Sequence, residues 1–209
     1  LANSKTADRS FRSNTLTENG TVTEAAVESG AELLGYSGFS ASNNLTRASD
    51  ADWDVITTGS AHLSIWFNSS SVSATEGYIG FANAGGTIEF LIEMASDGRV
   101  LGRDDGATAQ SQPITIETYS DGAWHKADFV RTSSTVRALY IDGVFVSTNG
   151  VDTGSLSSSG NLPLAIGVNA NGSTSPATST KLALGHISTT APTATQVRQM
   201  YDAEKGMFI

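Results

Sequence analysis

The 209-residue sequence contains no cysteine. Disulfides, thiol catalysis and cysteine-ligated zinc are thereby excluded. Basic residues are also scarce: 12 Lys plus Arg, unclustered, stand against 21 Asp plus Glu, for a formal charge of -9. Nucleic acid needs a basic footprint for its phosphates and an anionic membrane needs the same, so neither partner fits. Proline occurs only 4 times. No apolar run approaches the ~20 residues of a membrane span or forms the core of a signal peptide, so no membrane insertion is expected. The chain starts at Leu1 rather than Met. That fits a removed initiator, a cut leader or a longer parent protein.

What is present suits sheets. Gly is frequent, at 21 residues, and short apolar patches alternate with stretches rich in Ser, Thr, Asn and Ala. Residues 1–28 are polar and aperiodic, and predict an extended N-terminal arm that packs on the body or on a neighbour. Residues 29–209 predict the folded domain. Strand-like runs fall at 62–67, 77–82, 87–94, 113–119, 124–131, 135–141, 144–148, 162–168 and 181–187. Between them stand Asp97-Gly98, Asp105-Gly106, Asp121-Gly122, Asp142-Gly143, Asn149-Gly150 and Asn171-Gly172, pairs that supply the positive φ of tight turns. The sharpest hairpin is Leu139 to Val146, turning on Asp142-Gly143. Strands without intervening helices predict an all-β antiparallel sandwich. One short C-terminal helix is expected, capped by Thr193 with Gln196, striped by Val197, Met200 and Tyr201, and stopped at Gly206.

Several of these stretches carry a family resemblance in the same order. Leu63-Ser-Ile-Trp66-Phe67, Asp121-Gly-Ala-Trp124-His125-Lys126, Leu139-Tyr-Ile-Asp-Gly143-Val and Leu162-Pro-Leu-Ala-Ile-Gly167 resemble the ordered motifs of laminin-G-like jelly rolls in the concanavalin A-like lectin/glucanase superfamily. The resemblance covers roughly residues 31–206 and implies a concanavalin A-like jelly roll. Gly30-Ala-Glu-Leu33, Tyr36 to Asn43, Ala191-Pro192-Thr193 and Asp202 to Lys205 are similar to domains of bacteriophage tail-fibre and other virion proteins. That likeness implies a non-enzymatic virion component acting in host-surface glycan adhesion or particle assembly. Other virion proteins would be met through the N-terminal arm. Phage fibres are commonly trimeric, so the same analogy implies a homo-oligomer. The alternative readings are a carbohydrate-binding module of a larger secreted bacterial protein and a glycosidase.

Enzymatic signatures are weak. Retaining glycosidases need two carboxyls about 5 to 5.5 Å apart. Laminarinase-type relatives carry E-x-D-x-E on one strand, whereas Glu89-Phe-Leu-Ile-Glu93 has leucine at the central position. Glu89 and Glu93 would stand about 13 Å apart, as two solvated glutamates on an outer face. There is no G-x-S-x-G elbow, and His62, His125 and His186 fall on three different strands without a base signature. His125 matches the family's W-H position and is expected to fix a strand edge.

For binding, alternation along 62–67 sends Leu63, Ile65 and Phe67 to one face and His62, Ser64 and Trp66 to the other. Trp66, with Tyr140 and His62, is the candidate glycan-stacking set, unless the arm, a loop or the Thr193 helix covers the indole. For Ca²⁺, hard oxygen donors come from Asp50, Asp52 and Asp54 at every second position, and from Asp104 and Asp105 in an expected turn. The first set is not an EF-hand, since Val55 and Ala61 occupy the positions of its Gly and Glu. Hydrated acidic turns are the plainer reading of both sets.

Overall fold

The computed structural model describes residues 4–10, 12–50, 59–70, 74–82, 89–154, 162–169 and 174–208. Among the described residues, fourteen strands and one α-helix follow one another as β1 (Thr17–Asn19), β2 (Thr23–Ala26), β3 (Leu34–Ser37), β4 (Asn44–Arg47), β5 (Ala61–Asn68), β6 (Glu76–Ala82), β7 (Glu89–Met94), β8 (Val100–Asp105), β9 (Gln110–Ser111), β10 (Trp124–Ser133), β11 (Val136–Ile141), β12 (Val144–Asn149), β13 (Leu164–Ile166), β14 (Lys181–Ser188) and α1 (Ala194–Glu204), with a 3-10 turn, Lys205–Met207, after it. They form two 7-stranded sheets. The first runs β1-β4-β13-β6-β7-β8-β9 and the second β12-β11-β10-β5-β14-β3-β2. The strand pairs are antiparallel. The architecture is thus an antiparallel two-sheet sandwich, as the strand pattern predicts.

The core lies between the sheets because period two turns alternate residues inward. Leu63, Ile65 and Phe67 of β5 meet Phe90 and Ile92 of β7, with Phe129, Leu139 and Ile141 beside them. Gly167 has φ +77°, and a Cβ there would fall 1.9 Å from the Phe39 ring, so only glycine fits. At the sharp hairpin, Asp142 and Gly143 have φ of 53° and 72°, the two left-handed positions of a type I′ turn.

Three sequence expectations change. Described residues of the expected arm belong to the sandwich: β1 pairs with β4 and β2 with β3, and Val22 and Val27 are buried. Edge strands need only backbone partners, so they can lack an apolar period. Residues 113–119 form no strand but an isolated bridge, Ile114 to Leu101. Pro113 has no N–H to give a ladder there. Conversely, Val100 to Asp105 is a full strand although its polar end read as a turn.

α1 begins as anticipated. Thr193 Oγ1 accepts the Gln196 N–H, and Gln196 Oε1 accepts the Thr193 N–H at 2.9 Å, completing a capping box. Val197 is its buried anchor, set among Val130 and Tyr140 on the outer face of the second sheet. No helix among the described residues is long and apolar enough to cross a membrane.

Candidate binding cleft

The outer face of the second sheet is polar where α1 lies on it. Register explains why: Asp128 of β10 stands between Tyr140 of β11 and Ser64 of β5, and Ser64 is opposite His186 of β14. One row along, Val130 faces His62, which faces Ser188. On the other side Lys126 faces Trp66, which faces Ala183. Strand alternation therefore puts His62, His186, Asp128, Lys126 and Ser188 on one face.

Burial makes these groups pair. His62 Nε2 lies 2.9 Å from Asp128 Oδ1. The Lys126 ammonium, fully buried, sits 3.0 Å from Glu204 Oε2 and 3.8 Å from Asp128 Oδ1. Glu204 also accepts the Trp66 indole N–H at 2.7 Å. Each buried charge thus has an opposite partner, as the low dielectric requires.

Beside this network the helix leaves the sheet and a cleft of about 460 Å³ opens. His62, His186 and Ser188 form its sheet wall, and Gln196, Gln199 and Met200 its helix wall. Such a volume lies in the range of small-ligand sites. The His62 and His186 rings are 5.4 Å apart. Desolvation in the cleft, then the charges of His62 and Lys126, hold the His186 imidazole below its ordinary value. His186 is itself exposed at the mouth, so solvent screens these charges.

Of the three residues singled out for glycan stacking, only His62 lines this cleft, and it is 1% exposed. Trp66 is 2% exposed, stacked 4.0 Å from Phe208 and 5.6 Å from Tyr201. The Thr193 helix and the segment after it cover it, so Trp66 offers no free face. Tyr140, at 8%, is packed edge-on to Phe145 under Val197. Burial, and next the Asp128 charge, push its phenol up. The sequence missed Gln196, Gln199, His186 and Ser188 as a group. Nothing in local spacing joins β14 to α1.

Among the described Ca²⁺ candidates, Asp104 and Asp105 do not form a shared ligand set. Asp104 and Asp105 sit in β8 rather than in a turn, and period two points them to opposite faces. Asp104 is wholly buried, accepting from Arg131 at 3.0 Å and from Arg137. Asp105 accepts the Gln110 amide at 2.6 Å. Asp50 pairs with Arg47 at 2.6 Å, while Asp52 and Asp54 lie outside the described residues. Two guanidiniums already fill the space a cation would need at Asp104. Glu93, expected in solvent, is 2% exposed and accepts from Arg103 Nε at 3.0 Å. Burial raises its carboxyl and the Arg103 charge opposes that rise.

Over residues 39–198 the sequence matches the family model described as concanavalin A-like lectin/glucanases superfamily. No curated protein sequence matches this one. Among solved structures, the receptor binding domain of botulinum neurotoxin C/D mosaic serotype aligns with TM-score 0.74 at 12% identity, over 98% of this chain and 50% of that one. The binding domain of Paraclostridial Mosquitocidal Protein 1 aligns with TM-score 0.70 at 12% identity, over 94% and 49%. The chain therefore spans about half the length of these toxin domains. Domain 4 of a GH43 extracellular arabinanase from Geobacillus stearothermophilus, solved with arabinotriose, aligns with TM-score 0.68 at 16% identity, over 90% and 87%.

Proposed function

The chain belongs to the concanavalin A-like lectin/glucanase superfamily, and from that membership we propose that it is a non-enzymatic, lectin-like module that binds glycan in the cleft between the second sheet and α1. The carrying observation is the wall of that cleft. His186, Ser188, Thr190, Gln196 and Gln199 can each exchange hydrogen bonds with hydroxyls, beside apolar Pro192, Met200 and Ala203. Sugars present the same mixture, a ring of hydroxyls around apolar C–H faces. Hydrolysis is not part of the reading. Glu93 is 2% exposed and already accepts from Arg103, so it presents no free carboxyl to a scissile bond.

Support also comes from the neighbours, which are named as binding domains of toxins and as an arabinanase domain holding arabinotriose. The biological setting we propose is a bacteriophage particle, as a tail-fibre, spike or capsid-attached domain adhering to host glycan. Its support is the virion-like phrases of the sequence. Strand β2, exposed along its length at a sheet edge, is where another virion protein or a second copy would add. A specific observation favours a second reading, a carbohydrate-binding module of a larger secreted protein: the arabinanase domain is matched nearly end to end.

A glycan array probed with the full chain tests the function. Binding to a defined glycan subset is expected, and Gln199→Ala weakens it. Release of reducing sugar, or an array without hits, overturns the reading. Repeating the array with a chelator tests a Ca²⁺ requirement from the Asp50 to Asp54 stretch. Labelling intact particles with an antibody to the chain separates virion from secreted module.

A further inference from the structure

The charges around the cleft narrow its ligand. Its described wall carries no carboxylate, guanidinium or ammonium, in a chain of net charge -9. The nearby ammonium, Lys126, already lies between Glu204 and Asp128. An anionic sugar therefore finds no free cation to pair with. A cationic ligand fares no better, because Asp128 is wholly buried behind His62 and Glu204 is paired with Lys126 and Trp66. Building on the glycan reading above, we propose that the cleft holds one uncharged sugar residue and releases it when His186 gains a proton.

His186 is the gate because of what surrounds it. His62 faces it from β5, Lys126 and Asp128 from β10, and Glu204 from α1. A neutral imidazole can be covered by a neutral ligand at little cost. An imidazolium covered by the same ligand loses hydration and gains no counter-charge. It also adds a positive charge beside Lys126. Neutral His186 favours the bound state, so binding is full at high pH and falls as pH drops through the imidazole's value.

The test is a titration of the full chain with methyl glycosides of glucose, galactose, mannose and N-acetylglucosamine, beside glucuronic acid and N-acetylneuraminic acid. Backbone amide shifts would be followed from about pH 7.5 down to about pH 4.5, spanning the ordinary imidazole value. At least one uncharged glycoside should shift amides of β14 and α1. Its affinity should be flat at the upper end and fall up to about tenfold per pH unit below the His186 value, as one linked proton requires. His186→Gln should weaken binding and flatten that slope, and Gln199→Ala should weaken it with the slope kept. A flat profile in the unsubstituted chain, tighter binding of either acidic sugar, or shifts confined to other surfaces overturns the inference while glycan binding stands. No shift with any sugar overturns the glycan reading itself.

Discussion

Asp104 stands on the first sheet and Arg137 on the second, and in the interior between them the carboxylate of one accepts a hydrogen bond from the guanidinium of the other. Arg131 Nε donates to the same oxygen at 3.0 Å, and Thr153 Oγ1 lies 3.2 Å from the other oxygen. The arginines in turn donate to the carbonyls of Gly59, Gly154, Val151 and Ser134, so one carboxylate organises a whole rim of the sandwich. Asp104→Asn leaves two buried guanidiniums without their counter-charge. Loss of about 3–5 kcal/mol of unfolding free energy is expected in urea. A change below about 1 kcal/mol would mean that the pairing is idle.

Trp66 acts as the seat of α1. Its ring lies under Phe208 and Tyr201, and its N–H meets Glu204, the partner of buried Lys126. Trp66→Ala is expected to cost about 3–5 kcal/mol, the range for deleting a buried aromatic. Amide exchange along 194–204 should accelerate more than in the core strands, because the helix loses its anchor first. Equal acceleration everywhere would contradict the role given to this ring.

Strand β8 illustrates where reading the sequence stopped. Alternation placed Leu63, Ile65 and Phe67 inward, and the Asp142-Gly143 pair and the Thr193 cap marked real turns and a real helix start. Those signals are local, so a sequence displays them. Asp104 and Asp105 read as turn residues, yet they end a strand, Val100–Asp105, whose reasons lie far along the chain. Gly102 gives space to Phe129 on the facing sheet, and Asp104 meets Arg131 and Arg137. The cleft was illegible for the same cause: alternation says which face His62 and Trp66 share, not which element covers it.

That account of Gly102 is open to measurement. A Cβ at this position would fall 2.3 Å from the Phe129 ring. Gly102→Ala should therefore cost about 1–3 kcal/mol by overpacking, although alanine is ordinarily the better residue in a regular element. A thermal midpoint that stays level or rises would show that the sheets can part there without strain.

His125 joins two turns, and its charge gives a pH dependence whose sign can be worked out. Nδ1 is 2.7 Å from Asp142 Oδ2, and Nε2 is 3.2 Å from Asp121 Oδ1. Burial opposes its charge, but the carboxylate of Asp142, and then that of Asp121, outweighs burial and raises the imidazole. A base raised on folding contributes its full stability below the unfolded value, ~6.5, and loses it as pH climbs through the higher folded value. Asp142→Asn isolates the effect. Asparagine tolerates the positive φ of 53° and can still accept the Lys126 N–H through Oδ1, while its charge is gone. The stability gap between the unsubstituted chain and this variant should be widest near about pH 6 and shrink toward about pH 9, where the imidazole is neutral in both states. A gap of constant size across that interval would assign Asp142 to the turn alone and remove His125 from the balance.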